Sequence, residues 1–112
     1  MIKPTITYAD FDKLDLRVGK VVTAQAPEWS QKLLEFQVDF GTEIGNRTIL
    51  AGVKNFYQPA YFVNKHLVFL VNLATKPMGT SESQGMMLAI DAANRPIPWE
   101  VTAEVEPGTA IK

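Results

Sequence analysis

The chain has no cysteine and a single histidine, His66. The first absence excludes disulfides, thiolate zinc sites and a cysteine nucleophile. The second excludes sites that need several imidazoles. There is no glycine-rich phosphate cradle and no uninterrupted apolar run long enough to cross a bilayer, so a membrane partner is not expected. The opening residues, M-I-K-P-T-I-T-Y-A-D, lack the apolar core of a secretory leader, so a cytoplasmic location is expected. Net charge is small too: 11 Lys/Arg against 12 Asp/Glu, a formal −1, which argues against a strongly basic nucleic-acid binder. This inventory offers no catalytic site, no cofactor and no metal site, and it points to a binding module rather than an enzyme.

What charge there is lies unevenly. Residues 1–43 carry five Lys/Arg and seven Asp/Glu, a balance of −2. Residues 44–90 carry Arg47, Lys54, Lys65 and Lys76 against Glu82 alone, a balance of +3. Residues 91–112 return to −2, with two basic and four acidic groups. The electropositive part is therefore the middle of a chain whose 112 residues suffice for one core.

Thr7-Tyr8-Ala9-Asp10 has the spacing of a capping box, and Tyr8, Phe11 and Leu14 then share one face of a helix of about two turns. This helix is expected to act as a lid on one barrel end. Leu16–Ala26 is a long β-branched strand in which Gly19 permits tight coiling or a bulge. In Leu33–Phe40, Leu34, Phe36, Val38 and Phe40 alternate with Glu35, Gln37 and Asp39, the signature of a half-buried strand. Arg47–Gly52, His66–Leu73 and Met86–Asp91 complete five strands. The aromatic, proline-interrupted segment Asn55–Asn64 forms the connection between the third and fourth. Five strands so spaced predict an all-β barrel over residues 7–91, an OB-fold with an SH3-like barrel as the competing arrangement, and 92–112 as a C-terminal extension of a single domain. A further strand is expected near Ile97–Val101.

Asn72–Met86 (N-L-A-T-K-P-M-G-T-S-E-S-Q-G-M) is a polar, breaker-rich loop between two apolar runs, where a β scaffold presents its binding groups. The residues around it resemble a known family. Asp15-Leu16-Arg17-Val18-Gly19-Lys20-Val21, Lys32-Leu33, Val38-Asp39-Phe40-Gly41, Ala51-Gly52-Val53, Tyr57 with Pro59, Val71-Asn72-Leu73 and Glu82-Ser83-Gln84-Gly85-Met86 occur in the order and spacing of the stand-alone tRNA-binding domain. That domain is also found appended to methionyl-tRNA synthetases, in endothelial monocyte-activating-polypeptide-II-like proteins and in related CsaA-like chaperones. The resemblance implies an OB-fold, a homodimer formed partly through the extension, and tRNA binding by backbone and shape. Its possible partners include an aminoacyl-tRNA synthetase or, on the CsaA-like alternative, unfolded polypeptide. The family loop carries several cations; here Ala74 takes the first basic position and Lys76 is the one cation left.

The candidate RNA contacts follow from the loop and from the OB-fold's ligand face on strands two and three. Lys76 can donate to a phosphate oxygen, as can Lys32, Arg47 and Lys54 beside the face. Ser83, with Gln84 and the nearby amides, can donate to sugar or phosphate or else satisfy a turn. Asn72 either binds or braces the loop, and Met78 offers a soft apolar surface. Trp29 is expected to be exposed and to meet ligand or partner. Phe56, Tyr57, Tyr61 and Phe62 either stack bases or plug the barrel. Ile97, Trp99 and Val101 are the expected dimer contacts.

Overall fold

Alternation in one strand shows how the chain curls around its core. Leu34, Phe36 and Val38 are fully buried while Glu35, Gln37 and Asp39 between them face outward, the period-two pattern of a sheet with one wet face. The computed structural model describes residues 1–112. Its elements run α1 (Tyr8–Phe11), β1 (Leu16–Gln25), β2 (Leu34–Asp39), α2 (Gly41–Ile44), β3 (Asn46–Ala51), a 3-10 turn (Pro59–Phe62) and β4 (His66–Leu70). They continue with β5 (Lys76–Met78), β6 (Ser81–Ser83), β7 (Met86–Met87), β8 (Ala89–Asp91), β9 (Pro96–Pro98) and β10 (Ala110–Ile111). The main sheet is antiparallel in the order β3-β2-β1-β4-β7, a nearly closed five-stranded barrel of OB-fold type.

The barrel is filled by Val21, Leu34, Phe36, Val38, Phe40, Ile49, Phe62, Leu67, Phe69 and their neighbours. Phe62, from the connection between β3 and β4, plugs the core against Phe36 with ring centroids 4.8 Å apart. Strand β4 is buried on both faces. Leu67 and Phe69 enter the barrel, whereas Val68 and Leu70 join Leu16 in a second cluster covered by Leu88, Val101 and Ile111. Two-sided burial explains why this strand reads as a continuous apolar run. The C-terminal extension supplies Val101 and Ile111 of that cover. β9 pairs with β8, the Trp99 carbonyl accepts from Val68 N at 3.1 Å, and β10 pairs with the start of β1.

Several local expectations are corrected. The capping box forms as read, with Thr7 Oγ1 accepting from Asp10 N at 3.2 Å. The helix, however, closes after one turn and buries none of its residues; Tyr8 is 76% exposed. It is therefore no lid. The bulge in β1 lies between Val21 and Thr23, not at Gly19. Gly19 is required for space: a Cβ there would stand 2.6 Å from both Val38 and Phe40 side-chain atoms. The Met86–Asp91 strand is two short ones, because β7 pairs with β4 and β8 pairs with β9.

Candidate nucleic-acid interface

The segment read as a loop contains a β-hairpin. Lys76, Pro77 and Met78 pair with Ser83, Glu82 and Ser81, and the chain reverses through Gly79 and Thr80. Gly79 has φ +60, a conformation that costs glycine little. Both ends of the segment are fixed by side chains. At its entry Asn72 Oδ1 accepts from Asp15 N at 2.9 Å, and its Nδ2 donates to Lys13 O at 2.6 Å.

At its exit the hairpin closes the barrel against β3. Leu50 N donates to Ser83 Oγ at 3.0 Å, and Thr48 N donates to Gln84 Oε1 at 2.9 Å. Gln84 N donates in turn to Thr48 O at 2.8 Å, and Ser83 Oγ donates to Gly85 O at 2.9 Å. Two side chains thus do what a longer strand would do with its backbone, supplying partners to the Leu50 and Thr48 amides. Arg47 fastens the same seam from within, donating to Val71 O at 2.6 Å and Gln84 O at 3.1 Å.

On the outer face of β2, Glu35 ties three elements together. Its carboxylate accepts from Gln25 Nε2 on β1 and from Ser81 Oγ on β6, each at 2.6 Å. Between the hairpin and β3 lies a wholly polar cleft of about 520 Å³ lined by Thr48, Thr80, Ser81, Glu82 and Gln84.

The β1–β2 loop meets the hairpin at its tip. The loop is internally bonded, with Ser30 Oγ accepting from Lys32 N and Leu33 N. Lys54 Nζ donates to Ser30 O at 2.9 Å, and Lys54 N donates to Lys32 O. Trp29 packs on Gly79, and a Cβ at residue 79 would overlap its six-membered ring. Lys32 and Lys76 are exposed, and none of Lys32, Lys54 and Lys76 forms an ion pair. Glu28, Glu35 and Glu82 lie on the same loop, face and hairpin, so the rim is electrically mixed rather than strongly positive.

In OB-folds the β2–β3 face and the loops after strands one and four are where oligonucleotides and oligosaccharides bind. Here those loops are in contact. The family model described as "Putative tRNA binding domain" matches residues 16–110. The chain belongs to this tRNA-binding domain family.

Methionine–tRNA ligase of Methanococcoides burtonii is 44% identical over 110 residues, which is 97% of this chain and 16% of that protein. The chain therefore spans about a sixth of the length of the curated relatives it matches. Among solved structures, a methionyl-tRNA-synthetase-related protein from Pyrococcus horikoshii superposes with a TM-score of 0.91 at 29% identity, covering 98% of this chain and 100% of the other. The CsaA chaperone protein from Picrophilus torridus gives 0.89 at 27%, covering 96% and 100%.

Within this tRNA-binding domain, the residues picked from sequence divide by what already occupies them. Ser83, Asn72 and Arg47 use their polar atoms to hold the hairpin and the seam, as does the Oε1 of Gln84, whose Nε2 has no partner within the chain. Lys54 keeps its charge but spends one hydrogen bracing the loop. Lys32 on the β1–β2 loop and Lys76 with half-buried Met78 on the hairpin have side chains engaged by no hydrogen bond or ion pair within the chain. Phe62 is core, Tyr57 stacks on Tyr61 at 4.8 Å and donates to Pro96 O, and Lys65 sits over Tyr61. Phe62 therefore plugs the barrel and the Tyr57–Tyr61 faces are occupied, while Phe56 is 47% exposed.

In the extension, Val101 packs against Leu16, Val68 and Leu70, while Trp99 is 45% exposed. Beside it Ile90, paired with Ile97, is 58% exposed. Sequence reasoning missed Glu35 and Ser81. The only sign of Glu35 was its place on the polar face of an alternating strand, which marks no partner.

Proposed function

We propose that this chain is a non-catalytic, cytoplasmic module that binds tRNA by backbone and shape, with little sequence readout. The carrying observation is the rim where the β1–β2 loop and the hairpin touch, with three lysines free of carboxylate partners. Lys32, Lys54 and Lys76 meet phosphate oxygens there. Thr80 and Gln84, in the polar cleft, supply hydrogen bonds to sugar. Membership of the tRNA-binding domain family supports this reading, as does similarity to part of methionine–tRNA ligases. A synthetase is accordingly the partner to which such a module would bring tRNA. The working unit is a homodimer joined through half-buried Ile97 and through Trp99 and Ile90, and the exposed apolar area of the last two supports an interface; Val101 contributes by fixing the extension on the barrel.

Filter binding of deacylated bulk tRNA over a salt series tests this. Three phosphate contacts per subunit give a slope of log K on log salt of roughly −2 to −3 for a tRNA held by one subunit and roughly −5 for one held by both. A slope of zero, or no binding at low salt, overturns the proposal. Carboxylates on the rim and similarity to a CsaA chaperone protein favour a second reading, polypeptide binding through Trp29 and Met78. Suppression of aggregation of an unfolded client, with no retention of tRNA, would establish that reading instead.

A further inference from the structure

Trp29 belongs to neither the core nor the ion-pairing scheme, yet its position is tightly defined. It sits in a turn closed by Ser30 N donating to Pro27 O, and Pro27 is buried. An ideal Cβ on Gly79 would stand 2.5 Å from Cζ3 and 2.6 Å from Cδ2 of the indole, and closer still to Cε3 between them. Near-equal distances to three successive ring atoms put that point over the face of the ring. A point lying in the plane beyond the edge would be much farther from the two outer atoms. One face of the indole therefore lies on the bare Cα of Gly79. Trp29 nonetheless remains 40% exposed. The hairpin covers one face of the ring and leaves the other face and the edges to carry that exposure; Lys32 is on the same loop, and Lys54, from the segment after β3, reaches over to Ser30 O next to it.

We propose that the open face of Trp29 is a stacking platform for an unpaired nucleobase, adding a base contact to a rim that otherwise meets only backbone. The proposal rests on the tRNA-binding reading above. Stacking suits this place because every base has a π-face, so the contact adds affinity without demanding sequence. It also gives the hairpin tip a defined part: a residue with a Cβ at position 79 would lift the ring and tilt the platform.

The test uses intrinsic fluorescence and filter binding with unfractionated tRNA as the probe. Wild-type fluorescence is quenched on binding. The Trp29→Phe protein, which retains only Trp99, still binds but shows no quenching. Trp29→Ala binds about ten-fold or more weakly, in line with the usual worth of one base stack. Gly79→Ala, which removes no aromatic surface and no charge, weakens binding in the same direction. A blunt RNA duplex without unpaired bases gains nothing from Trp29.

Equal tRNA affinity for wild type and Trp29→Ala, with the salt slope intact, would overturn the platform and leave the cationic rim standing. Quenching by an unfolded polypeptide and not by tRNA would overturn it in favour of a peptide contact. Absence of tRNA binding by every variant and by wild type would overturn the platform and the proposed function together.

Discussion

Cations on the two sides of the barrel are treated differently. Below the C-terminal extension, Arg17 donates to Asp15 at 2.6 Å, to Glu43 at 2.9 Å and to the Gly108 carbonyl at 3.1 Å. Hydrogen bonds to Asp15 first and Glu43 second raise its pKa above the ordinary arginine value. Lys65 pairs with Glu100 at 3.4 Å and covers Tyr61. Around the hairpin, Lys32 and Lys76 stand without a carboxylate partner. Charges engaged inside the chain serve the fold, and those left open are what a polyanion can recruit. The sign of a residue therefore says less than whether its partners are already supplied. Arg47 makes the point, since it lies in the electropositive stretch and yet works as a carbonyl clamp.

The same contrast between engaged and open groups orders the expected effects of substitution. Trp99→Ala removes an open apolar group proposed to meet a second copy, and should cost about 2 kcal/mol or more of association. Sizing chromatography should move toward monomer, and an unmoved peak refutes the interface. Ser83→Ala strands the Leu50 N–H and the Gly85 carbonyl in a buried seam, at a cost of about 1–3 kcal/mol. Its melting temperature should fall by roughly 4–8 °C per kcal/mol; an unchanged melt would show that the seam closes without it.

Lys76→Ala should leave the melt unchanged while weakening tRNA several-fold and lowering the salt slope by about 1. Unchanged affinity would remove the hairpin from the interface. Glu43→Gln should alter stability by less than about 1 kcal/mol, because the carboxylate is largely exposed. Arg17 itself introduces no pH step. A raised folded pKa gives stability that is complete below the unfolded value and lost only above the arginine range, so thermal melts should show no transition attributable to Arg17 at any pH the fold survives.

The barrel was legible where periodicity is long and one-sided, as in Leu34–Phe40, and where an aromatic segment interrupted by Pro59 bridges two strands. It was illegible where a strand is too short to carry a period. β10 has two residues, and β5 and β6 have three each, one of which is Pro77. The Gly79-Thr80 reversal could have marked the hairpin, since glycine at the first turn position is a hairpin signal.

The site was harder to read for another reason. Ser83, Gln84 and Asn72 are residue types that bind ligands and residue types that mimic backbone, and only knowing what lies opposite them separates the two. Tyr8, Phe11 and Leu14 had helical spacing, but spacing does not supply a surface to bury them on.

Residues 73–82 hang between two bolts, Asn72 at one end and the Ser83–Gln84 pair at the other. Because those bolts grip main chain elsewhere in the barrel, what is strung between them can be exchanged without reopening the sheet. The hairpin is in this sense a cartridge. A donor segment of equal length that keeps the serine for Glu35 and a bare residue beneath the indole should seat in the same slot, and the barrel would carry a new preference on an old frame.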